Sequence, residues 1–246
     1  MSLMALGGFL VVVGACDLLR FDRDAVSPRR LAAILAAGAV LLALFLAWAG
    51  DSFGRGLVLF LGLFAGFALW VVASSAALTQ GGAHVRRWRA AAFSGLALGA
   101  AVGLLGVGAL EEWVEWPARM DSTVFAHWPA ADVTVSAGAV LLQLATGNLI
   151  VRLVLDAVGV PAVTNEKKLK GGRLLGPMER IFIVGLGHIG EVTAAAIVVA
   201  AKGLLRFPEL NASAKAGPSD VTEYFLIGSF ASWLIGLAGV SLIYLA

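Results

Sequence analysis

Apolar runs long enough to cross about 30 Å of hydrocarbon recur along the whole chain, and that feature decides the class of fold. They lie near 3–19, 31–49, 56–79, 89–110, 135–158 and 224–246, with a further stretch at 181–201. In lipid, each backbone N–H and C=O needs an internal partner, so runs of this length are expected to be helices. With 60% hydrophobic and only 14% charged residues, little remains from which to build a water-soluble catalytic domain. The expected fold is all-α, a polytopic integral membrane helix bundle of six spans plus a re-entrant helical hairpin, or of seven plain spans. Residues 1–133 read as a four-span N-terminal region with an outer loop, and 134–246 as a C-terminal membrane region containing a broken helix at 178–206.

Charge placement gives an orientation. Arg20, Arg23, Arg29 and Arg30 follow the first run, Arg86, Arg87 and Arg89 follow the third, and Lys167, Lys168, Lys170 and Arg173 follow the fifth. The intervening loops hold Arg55 alone and Arg119 alone, the latter beside Glu111, Glu112, Glu115 and Asp121. Basic loops stay in the cytoplasm, which places the N-terminus outside a plasma membrane. Trp48, Trp113, Trp116 and Trp128 then gather at the outer interface as an aromatic belt. Val-Gly-Ala-Cys at 13–16 has a faint look of a cleavage box, but the basic start of a signal peptide is missing, so 3–19 is read as an uncleaved span.

The stretch IFIVGLGHIGEVTAAAIVVAA at 181–201 is the most informative segment. His188 and Glu191 sit at its middle, where ionisable groups need a partner, a wet cavity or a function. A straight helix would carry Lys202, Arg206 and Lys215 to the outer side. A fold-back between Gly185 and Glu191 would keep them with the basic loops, and Gly185, Gly187 and Gly190 favour such a break. Gly185, Gly187 and Gly190 also match GxGxxG, but with spans upstream and one more downstream no parallel sheet can surround them, so a dinucleotide site is not expected.

Two further groupings carry polar chemistry. Asn148, Arg152 and Asp156 share one stripe of the fifth span at spacing four. Glu179 and Arg180 open a helix after Gly176 and Pro177; with Lys167, Lys168, Lys170 and Arg173, and under the fold-back also Lys202, Arg206 and Glu209, they form a cytoplasmic collar suited either to lipid phosphates or an anionic ligand, or to topology and surface lipid contact alone. Small residues at spacing four, namely Gly95, Gly99 and Gly103, Gly228, Ser232 and Gly236, and Gly62 with Gly66, let helices approach closely, either within the bundle or at a homodimer seam.

Several chemistries are excluded. Cys16 is the only cysteine, so disulfides and thiolate zinc sites are ruled out, and His84, His127 and His188 are too few for an all-histidine cluster. Neither HExxH nor EExxxR occurs, the last span has no lysine for a Schiff base, and no serine–histidine nucleophile pair is evident. No catalytic residue, cofactor or metal is expected, and no nucleic-acid partner.

From Thr146 onward, TGNLIVRLVLD, GGRLLGPMERIFIV, AAKGLLRFPEL and TEYFLIGSFASW occur in order. These words resemble the C-terminal half of a family of bacterial multi-pass membrane proteins designated a domain of unknown function. The resemblance covers roughly the last hundred residues. It implies a bacterial inner-membrane setting and marks Asn148, Arg152, Glu179, Arg180, Lys202, Arg206, Phe207, Glu223 and Tyr224. Pro177 and Gly203 depart from its pattern, as does the lack of a histidine–aspartate opening near the N-terminus. No activity comes with it.

The functional expectation is a transporter-like protein that moves or binds a small anionic or lipid-like ligand. Its binding residues would be Asn148, Arg152, Asp156, Glu179, Arg180, Lys202 and Arg206, with His188 and Glu191 handling protons or cations at the hinge. Membrane lipids, including anionic headgroups, are the expected partners. The alternative is a non-catalytic subunit or assembly factor of a membrane complex, docking through its small-residue faces. An enzyme acting on a lipid headgroup ranks third.

Overall fold

The computed structural model describes residues 3–20, 26–49, 53–79, 84–106, 114, 116, 123, 127–160, 172–215 and 220–246, with the side chains of 172, 173, 192, 205–215, 220 and 221 excepted. Among these residues the chain is all-helical. Its helices are α1 (Met4–Leu18), α2 (Pro28–Ala49), α3 (Phe53–Thr79), α4 (Val85–Leu105), α5 (Ala130–Leu141), α6 (Gly147–Ala157), α7 (Gly172–His188), α8 (Val192–Lys215) and α9 (Asp220–Leu245). Among the described residues, five segments are long and apolar enough to cross a membrane: Pro28–Ala49, Phe53–Thr79, Val85–Leu105, Ala130–Ala157 and Thr222–Leu245.

Much of the outer surface is apolar, and part of the interior is polar. Leu44, Val58, Phe230 and Ile197 are more than half exposed, whereas Asp17, Arg20, Gln143 and Arg180 are buried. Water would drive the reverse arrangement, and hydrocarbon selects this one.

The chain divides into two compact units, Met1–Leu142 with the last two residues, and Gln143–Tyr244. The division falls at Leu142/Gln143, a little beyond the 133/134 boundary expected from sequence.

In the first unit α1 is the innermost helix. It has 15 residues, about 22 Å at 1.5 Å per residue, and is shorter than the run at 3–19 suggested. Phe9 and Val13 are fully buried. Glycines let its neighbours approach. A Cβ on Gly7 would lie 2.8 Å from the Val135 backbone N, one on Gly103 2.8 Å from Leu6 Cα, and one on Gly66 2.6 Å from Gly99 N. The 95/99/103 face and Gly62 and Gly66 are thus taken up inside the unit, as close helix packing requires. Trp48 and Trp116 lie 5.6 Å apart between ring centroids, and Trp116 Nε1 donates to the Trp128 carbonyl at 2.9 Å. Trp113 lies outside the described residues.

Two breaks shape the second unit. Between α5 and α6 the helix widens to a π turn over Leu142–Thr146, and Leu144 (φ −76°, ψ −107°) leaves helical geometry. Between α7 and α8 the chain stops at Gly190, whose φ is +84°. Glu191 N–H reaches back to the Leu186 carbonyl and Gly190 N–H to that of Gly187. This is a Schellman closure with glycine at the left-handed position. The break therefore falls inside the Gly185–Glu191 window read from sequence.

α7 begins at Gly172 and carries Pro177 inside it, rather than starting after Pro177 as expected. A proline this near the start removes a single backbone donor and leaves most of the helix intact. On α9, Gly228 faces Leu155 and Gly236 faces Ile183, while the Ser232 hydroxyl accepts from Arg180, so this small-residue face is also occupied internally.

Candidate functional site

The two arms of the broken segment lie side by side. Glu179 on α7 and Lys202 on α8 are 23 residues apart, yet Lys202 Nζ donates to Glu179 Oε2 at 2.7 Å. A straight helix would separate them by about 34 Å. The Lys202 ammonium also stands 5.5 Å from the Phe225 ring centroid on α9.

About two turns into α7, Arg180 is 1% exposed and holds the second unit together. Its Nε donates to the Gln143 carbonyl at 2.8 Å, Nη1 to Ser232 Oγ at 2.9 Å, and Nη2 to Asn148 Oδ1 at 2.8 Å and the Leu144 carbonyl at 3.2 Å. In an unbroken α-helix the Gln143 and Leu144 carbonyls would bond the N–H groups of Gly147 and Asn148. The π turn turns them toward the guanidinium instead. A planar fork of five donors suits such a set, which a lysine could not reproduce. Gly147 makes room for it: a Cβ there would fall 2.7 Å from Arg180 Nε.

Beside this knot lies a cavity of about 90 Å³, lined by Asn148, Val151, Arg152 and Leu155 of α6, Leu175, Gly176 and Arg180 of α7, Lys202 of α8, and Tyr224, Phe225, Gly228, Ser229 and Ser232 of α9. Among the described residues, three cations from three helices line it, and no carboxylate does. All four acceptors of Arg180 are neutral, so its charge is solvated by dipoles without being cancelled.

Of the residues singled out from sequence, Asn148, Arg152, Arg180 and Lys202 come together at the cavity, with Glu179 behind Lys202. Asp156 lies one turn beyond Arg152 and is not among the lining residues. His188 and Glu191 are exposed at the α7–α8 turn and do not line it either. There Tyr244 Oη donates to the Gly187 carbonyl at 2.9 Å, fixing the turn to the end of α9. Arg206 lies on α8, and its side chain, like that of Phe207, is outside the described residues. So are Lys167, Lys168 and Lys170. Glu223 is exposed, whereas Tyr224 reaches the cavity.

Sequence reasoning missed Ser229 and Ser232 as polar lining residues. Ser232 was read only as one of the small residues of a packing face, and its Oγ proves to be an arginine acceptor.

It also missed a buried cluster in the first unit. Asp17 and Arg20 pair at 2.6 Å at the end of α1. Trp70 Nε1 donates to Asp17 Oδ2 at 3.0 Å, and Arg20 Nη1 donates to Ser74 Oγ and Ser75 Oγ, both at 2.9 Å. Arg20 had been read as a topology marker in a loop. The available signal was Asp17 three residues before it, with the Ser74–Ser75 pair inside an apolar helix.

Among the described residues, no group of three or more His, Cys, Asp and Glu side chains is placed to hold a metal ion. No protein-family model, no curated protein and no solved structure matches this chain.

Proposed function

We propose that this chain is a multi-pass plasma-membrane protein whose C-terminal unit binds, and in a transport cycle carries, a small anionic or lipid-like ligand. The observation that supports this most is the cavity lined by Arg152, Arg180 and Lys202 and, among the described residues, by no carboxylate. Cations at membrane depth are unfavourable unless something negative or polar meets them. A broken helix beside a cavity is the usual way to place such a site in a bilayer.

In this reading α7 and α8 form a re-entrant hairpin, both ends of which are cytoplasmic, and the N-terminus is outside. The basic loops then share one side, as the positive-inside rule asks. The pairing of Glu179 with Lys202 supports the fold-back. Ser213→Cys in a Cys16→Ala background tests the orientation: an impermeant thiol reagent should label it only from the cytoplasmic side. Labelling from outside would overturn the hairpin topology.

Ligand binding is tested by native mass spectrometry of protein extracted in mild detergent. Wild type should retain anionic adducts that the Arg152→Gln/Lys202→Gln double variant loses. Equal adducts on both would overturn the site.

A further inference from the structure

Resting on the anion site proposed above, we infer that its ligand is a phosphate monoester or free phosphate group, and that Lys202 is the cation that changes partner to take it. The three cations are not equivalent. Arg180 already spends four N–H bonds on Gln143, Leu144, Asn148 and Ser232, so it forms a fixed positive wall. Lys202 holds one carboxylate oxygen through an ammonium with three donors on a flexible stem, and it is 22% exposed at the cavity. It can therefore leave Glu179 for a ligand without breaking the fold, whereas Arg180 cannot.

The shape of the donor set selects the ligand class. Arg152 comes from α6, Lys202 from α8 and the Ser229 hydroxyl from α9. Donors converging from three helices match a tetrahedral group with three terminal oxygens better than a planar carboxylate, for which one arginine fork suffices. A monoester also carries about −1.5 to −2 charge at neutral pH, against −1 for a diester or carboxylate. The cavity, at about 90 Å³, has room for a group of that size. Val151, Leu155 and Phe225 complete its wall, so the group could arrive free or on an alkyl chain.

The test uses full-length protein in phosphatidylcholine nanodiscs, with apparent affinity read from tryptophan fluorescence or melting shifts. Four probes are titrated: dioleoyl phosphatidic acid, inorganic phosphate, oleate and phosphatidylglycerol. Preference for phosphatidic acid supports the inference with a lipid source, and preference for inorganic phosphate supports it with a soluble one. In either case Lys202→Gln should weaken binding about tenfold or more, and Lys202→Arg should restore most of it. Glu179→Gln should tighten binding about threefold, because it frees the lysine. Oleate or phosphatidylglycerol binding as well as the preferred monoester would overturn the phosphate assignment and leave the general anion site standing. Binding of none of the four would overturn both.

Discussion

Each unit buries an arginine, and the two are treated differently. Arg20 in the first unit meets Asp17 at 2.6 Å and two serine hydroxyls, so its charge is cancelled where it stands. Arg180 in the second meets only neutral acceptors, two of them carbonyls turned outward by a π turn. The first arrangement is electrically closed. The second leaves a positive charge beside a cavity that two more cations line. A closed pair contributes order, and an open one is poised to bind.

The sharpest way to break this comparison is at Asp17. Asp17→Ala should destabilise the protein by about 3–5 kcal/mol, because Arg20 is left buried without its countercharge. Thermal unfolding in detergent would measure this, and anion binding by the folded fraction should be unchanged. A change in anion binding would mean that the first unit takes part in the site.

Next in size is Arg180→Lys. One ammonium cannot serve acceptors from the π turn, α6 and α9 together, and the expected loss is about 2–3 kcal/mol in the same assay. Gly147→Ala should cost about 1–2 kcal/mol by pushing the guanidinium off the Gln143 carbonyl. Gly185→Ala, where a Cβ meets nothing within 4 Å, is the matched control and should be close to neutral. Smallest is Lys202→Gln, which gives up a partly screened ion pair and should cost no more than about 1 kcal/mol of stability. A large stability loss there would make Lys202 a structural residue like Arg20.

The sequence made one layer of this legible and hid another. Apolar runs placed the helices because hydrocarbon leaves the backbone no alternative. Gly190 could be anticipated as a break because only glycine readily takes a positive φ at the end of a helix. Asn148 and Arg152 were legible from their spacing, and Arg180 and Lys202 from the basic collar that flanks the apolar run 181–201.

The π turn was not legible. Leu142–Thr146 contains no proline and reads as ordinary helix, since what stabilises it is an arginine side chain 37 residues away from Gln143. His188 and Glu191 were singled out for their cost in an apolar run, but the Schellman turn at Gly190 ends α7 between them and leaves both exposed. Arg20 was hidden because a charge just past an apolar run usually marks a membrane interface. Its burial depends on Trp70, Ser74 and Ser75 arriving from α3.

The central claim is that the second unit, and not the first, presents its cations to a cavity where a ligand can reach them. The most direct measurement is the melting temperature of wild type and of Arg152→Gln/Lys202→Gln in neutral nanodiscs, with and without added anionic lipid. Wild type should gain several degrees on adding the anion, and the double variant should gain none. An equal gain in both would contradict the account, because the stabilising anion would then be acting elsewhere on the protein.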